Sequence, residues 1–130
     1  MATLNTKLAL SSTDISSDDL GISISSTLTV GPPSIGVSKV AIAAAGGTAT
    51  TLVPSGAANQ YVYIKHTGYQ ADGSTATTNQ VAIELASNAD LLRLSPGEFC
   101  FFTSKSSSVV EVLSSSSQTI LVEYAYWSEV

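Results

Sequence analysis

Residues able to do chemistry are few in this chain, and they are scattered. His66 is the sole histidine of the 130 residues and Cys100 the sole cysteine, so a triad or a histidine-based metal centre has to be built around one imidazole. A serine nucleophile needs that base within hydrogen-bond reach and a strained turn of the G-x-S-x-G kind, and no such turn occurs. His66 follows Tyr61-Val62-Tyr63-Ile64-Lys65 and precedes Thr67-Gly68, which reads as a strand end carrying a surface or interface histidine. A lone Cys100 permits neither an intrachain disulfide nor a cysteine-rich metal framework.

The carboxylates give no more. Asp14, Asp18 and Asp19 lack the glycine and terminal glutamate of a calcium-binding loop and read as a solvated arm. Glu98, Glu111 and Glu123 fall on three separate expected strands, facing outward, and nothing pairs two of them at glycosidase spacing. Gly31, Gly36, Gly46 and Gly47 match no phosphate-cradling pattern. The expectation is therefore a non-enzyme, with no catalytic residue, no cofactor and no metal site.

Ten acids against five bases give a net charge of −5. Lys7, Lys39, Lys65, Arg93 and Lys105 are dispersed rather than clustered, which argues against direct nucleic-acid binding. No segment approaches the roughly 18 apolar residues of a membrane span, and the start, Met1-Ala2-Thr3-Leu4-Asn5, has no basic stretch followed by an apolar one. A product made in the cytoplasm and kept there until assembly is expected, with no membrane partner.

Positioning elements follow from composition and period. Charged residues make up 12% and hydrophobic ones 44%, with 22 Ser and 14 Thr supplying the polarity, a balance that suits pleated, half-buried surface and turns rather than helix. Short apolar runs recur over residues 37–42, 50–53, 61–65, 81–85, 91–94, 99–103, 109–113 and 120–127. Between them lie the turn formers Gly46-Gly47, Pro54-Ser55-Gly56, Asp72-Gly73, Ser87-Asn88, Pro96-Gly97 and Ser114 to Ser117; the last is read as a hairpin loop, and residues 71–79 as a longer loop. The predicted fold is all-β: an antiparallel β-sandwich of jelly-roll type over residues 37–130. Its predicted core is Val40, Ile42, Val62, Ile64, Val81, Ile83, Leu85, Phe99, Phe101, Val110, Val112, Leu121 and Tyr124. Phe99, Phe101, Phe102, Tyr124, Tyr126 and Trp127 are read mainly as core, with an exposed carbohydrate platform as the alternative.

Residues 1–36 differ from the rest and form an expected extended N-terminal arm, closed by Gly31-Pro32-Pro33-Ser34-Ile35-Gly36. Within it Leu20, Ile22, Ile24, Leu28 and Val30 share one strand face, and Leu4, Leu8 and Leu10 are a weaker candidate strand. An isolated strand cannot cheaply leave such a stripe and its backbone unpartnered. These five residues are thus the candidate assembly interface, meeting a neighbouring subunit or a virion surface, or folding back as extra strands of their own domain.

The Met-Ala-Thr-Leu-Asn-Thr-Lys start, the segment Leu94-Ser95-Pro96-Gly97-Glu98-Phe99-Cys100-Phe101-Phe102, the closing Val122-Glu123-Tyr124-Ala125-Tyr126-Trp127, and Gly31-Pro32-Pro33 ahead of Val37-Ser38-Lys39-Val40 together resemble small virion structural proteins of tailed bacteriophages, of the marine and cyanobacterial type. The resemblance implies assembly rather than catalysis. It points to a capsid decoration or cement protein, a homotrimer bound to the major capsid protein or other virion proteins and located in the virion after synthesis in the host cytoplasm. A tail or fibre adaptor and a carbohydrate- or surface-binding β-module are the alternatives.

Overall fold

In the computed structural model, which describes residues 2–15, 18–85 and 89–130, the chain is all-β and the described residues contain no helix. Its strands are β1 (Ala2–Ser12), β2 (Leu20–Ile42), β3 (Thr50–Val53), β4 (Gln60–Gln70), β5 (Val81–Leu85), β6 (Ala89–Leu94), β7 (Phe99–Ser104), β8 (Val110–Ser114) and β9 (Ile120–Glu129). They form two antiparallel sheets, one in the order β1-β2-β9-β4-β7 and the other β3-β8-β5-β6. From β2 onward only the β5–β6 link joins two strands of one sheet; every other link crosses to the facing sheet. The Ser114 to Ser117 stretch is therefore no hairpin loop: it carries the chain from β8 to β9 in the other sheet. Residues 71–79 are a loop, with Asp72 accepting the Thr75 hydroxyl and the amides of Thr75 and Ser74. Those bonds draw the Asp72 carboxyl down to about 2. The Ser87-Asn88 turn lies outside the described residues.

The core follows from the two-residue period of facing strands. Val62 and Ile64 of β4 lie opposite Phe102 and Cys100 of β7 and opposite Tyr126 and Tyr124 of β9. Against them the second sheet brings Leu52, Val53, Val81, Ile83, Leu94, Val110 and Val112, and Ile42, Ile120 and Val122 complete the cluster.

Two sequence expectations are corrected here. Phe99 and Phe101 are not core: they pair with Lys65 and Tyr63 on the outer face and stand 66% and 42% exposed, respectively. Leu121 and Tyr124 cannot share a face, since side chains alternate; Tyr124 packs against the core with Val122, and Leu121 points away. The Phe101 ring instead stacks on Tyr61, with centroids 6.3 Å apart and planes 10° from parallel. The stacked pair adds at most about 1.5 kcal/mol to the partial burial of the ring, so Phe101→Ala should cost less than Phe102→Ala. Phe102→Ala, on the inward side, should cost about 2–3 kcal/mol, less than the roughly 3–5 kcal/mol of a fully buried phenylalanine. Urea midpoints of the two variants check the parity of β7, and equal losses would contradict it.

Candidate interaction face

β2 runs 23 residues and serves two partners. Its second half pairs with β9, from Val30 opposite Glu129 to Ile42 opposite Ile120, with register shifts across 30–38 where the Gly-Pro-Pro run lies. Proline has no amide to donate and breaks an even ladder, so the shifts fall there. The first half of β2 pairs with β1 alone, Ala2 to Ser12 against Val30 to Leu20, in unbroken register. Residues 2–12 and 20–30 are thus a two-stranded ribbon at the edge of the larger sheet.

The register sorts the ribbon into two unlike faces. Leu4 lies opposite Leu28, Leu8 opposite Ile24 and Leu10 opposite Ile22; with Leu20 and Val30 these form one apolar face. The other face holds Thr3, Asn5, Lys7, Ala9 and Ser11 against Thr29, Thr27, Ser25, Ser23 and Gly21. There the Thr27 hydroxyl donates to Asn5 Oδ1 at 2.9 Å. The five residues singled out from sequence therefore share one face, though not one environment. Val30 is buried, Leu20 and Leu28 are half-buried, and Ile22 and Ile24 are exposed. Leu8, Leu10 and Ile24 stay 49%, 46% and 61% exposed.

Opposite the apolar face stands the outer surface of β7. Thr6, Leu8, Ile24 and Ser26 of the ribbon and Tyr63, Leu92, Phe99 and Phe101 of the body line one open cleft of about 700 Å3. Burial and then the hydrogen bond it donates to Glu123 push the Tyr63 hydroxyl up to about 12, so it is a neutral donor already engaged. Cys100 also borders the cleft, and burial raises its thiol to about 11, far from a reactive thiolate. Lys7 lines the same cleft without an ion pair among the described residues.

His66 departs from its expected place. It lies inside β4, is fully buried, and faces inward beside Val122. Its Nδ1 accepts the Gly68 amide at 2.9 Å and its Nε2 lies 2.9 Å from the Asn79 carbonyl, an arrangement that the tautomer with its proton on Nε2 satisfies at both ends. Gly68, at φ 87°, supplies the left-handed turn that aims its amide back at the ring. Both ring nitrogens are thereby committed to backbone.

None of the described acids lines this cleft. Asp14 accepts from the Ser12 hydroxyl beyond the end of β1. Glu98 is in the turn before β7, not on a strand, and accepts the Ser95 amide. Glu123 lies on the outer face of β9 between Lys39 and Lys65. Glu84 of β5 pairs with Glu111 on one side and Asp90 on the other, and sequence reasoning did not single it out. It is 7% exposed, and burial, then Asp90 and Glu111, raise its pKa. A carboxyl whose folded pKa is raised costs stability once the pH exceeds that value and costs nothing below its unfolded value. Glu84→Gln should therefore raise the urea midpoint at pH 7 and give no gain below pH 4.5, its ordinary value. Equal midpoints of variant and parent at pH 7 would show that Glu84 is not strained.

No protein-family model matches the chain, and no curated protein matches it.

Proposed function

We propose that this chain is a non-enzymatic structural protein of a tailed-phage virion, a decoration or cement protein that works by assembly with copies of itself and with the major capsid protein or another virion protein. The observation that carries the reading is the ribbon. Eleven residues of edge strand and a leucine–isoleucine face are held out in register with Leu8, Leu10, Ile22 and Ile24 exposed, a surface that costs solubility unless something binds it. The strand orders β2-β9-β4-β7 and β3-β8-β5-β6 support a jelly-roll wrapping, and the trimer rests on the resemblance alone. Commitment of both His66 nitrogens to backbone supports the absence of catalysis. The acting location is the virion, after synthesis in the host cytoplasm.

Co-sedimentation tests this. The chain, followed by antibody, should band with particles in a density gradient of lysate from producing cells, at a fixed ratio to the shell protein. Recovery only in the soluble fraction would sink the reading. Exposed Phe99 and Phe101 favour a second reading, a carbohydrate- or surface-binding module. Glycan-array binding that is lost in Phe99→Ala would establish it instead.

A further inference from the structure

We infer that the cleft between the ribbon and β7 seats the ribbon of a second copy of this chain, exchanged reciprocally so that each copy gives one ribbon and accepts one. The inference rests on the assembly reading above and names its contact. The apolar face of the ribbon is already turned toward Phe99 and Phe101, yet it leaves about 700 Å3 between itself and them. Leu10 and Ile22 continue the stripe beyond the cleft lining, so the shape calls for an elongated apolar occupant rather than a compact one.

Area selects a second copy. An 11-residue strand is about 37 Å long, and a two-stranded face roughly 11 Å wide presents about 400 Å2. One ribbon docked once falls short of the ~800 Å2 per partner of a stable interface, whereas giving one and accepting one reaches about that value.

Light scattering on the purified full chain at micromolar concentration tests this with two double variants. Leu8→Asp/Ile24→Asp alters only the ribbon, and Phe99→Ser/Phe101→Ser only the body. All four side chains are at least 42% exposed, so both variants should keep the parent circular dichroism. The parent should run at a multiple of the chain mass. Each variant should weaken self-association by at least about a hundredfold, since a charge or hydroxyl would sit in an apolar contact. A monomeric parent overturns the inference, as does association unchanged in either variant. A monomer that takes up a fluorescent fatty acid in the cleft identifies a different occupant and overturns it as well. Particle co-sedimentation fails independently: a chain that self-associates but never bands with particles refutes decoration and leaves the ribbon contact standing.

Discussion

His66→Ala should destabilise the protein by about 3–5 kcal/mol, a large share of the roughly 5–15 kcal/mol that holds a domain together. Two losses combine. The buried ring leaves a cavity in the row it shares with Val122, and the Gly68 amide and Asn79 carbonyl lose their partners. His66→Leu separates the two, because it refills most of the volume and leaves the backbone groups unpaired; it should cost about 2–3 kcal/mol. The effect reaches beyond the ring. Asn79 and Thr77 both donate to Gln118 Oε1, and the His66 amide and carbonyl bond Glu98 and Gly97. The side chain therefore fastens the 71–80 loop to β4, and the backbone of the same residue fastens the β6–β7 turn. Urea unfolding with an unchanged slope measures both variants, and a midpoint shift within error for His66→Ala would mean that the ring is not a buried, doubly bonded group.

Such a histidine is hard to read from sequence. Lys65 before it and Thr67-Gly68 after it look like the end of a strand, whereas β4 continues to Gln70 through a register shift between His66 and Gln70. An imidazole satisfied by backbone at residues 68 and 79 carries no sequence pattern, since any residue supplies a carbonyl and any but proline an amide. The eight strands from residue 37 onward were legible because each is a short apolar run between turn formers. Facing was legible only where alternation is clean, as in Val62 and Ile64 or Val110 and Val112. In Phe99-Cys100-Phe101-Phe102 and Ile120-Leu121-Val122 every position is apolar, so parity is set by the neighbours across the ladder, and a one-residue choice turns the whole strand over.

Half of the interaction face was legible too. Alternation in Leu20, Ile22, Ile24, Leu28 and Val30 marks one strand, but its meaning depends on what pairs with it. The pairing with β1 spans a Ser- and Asp-rich link whose length and composition give no turn type. Leu4, Leu8 and Leu10 lie on the even parity that the pairing then matches to the same face. The aromatic wall across the cleft stayed hidden because Phe99 and Phe101 were read as core.

Truncation separates the ribbon from the body. Removal of residues 2–27 should abolish self-association while leaving the urea midpoint close to that of the full chain, because β1 pairs with nothing but β2 and the leucine and isoleucine side chains removed are at least partly exposed. Removal through residue 36, the boundary that the Gly-Pro-Pro run suggests, should cost about 2 kcal/mol more. It takes away Val30, which is 2% exposed, and the burial of a valine is worth roughly 1.5–3 kcal/mol. It also strips Glu129 and Trp127 of their β2 partners, although Glu129 keeps the hydrogen bonds that it accepts from Asn59 and Tyr61. The two truncations thus share the loss of assembly and differ in stability, which places the junction between ribbon and body before Val30 rather than after Gly36. If removing residues 2–27 unfolds the chain, the ribbon is part of the folding unit and is not free to be exchanged. If both truncations still associate, the contact between copies lies on the sandwich itself, and the exposed leucines and isoleucines serve some other surface.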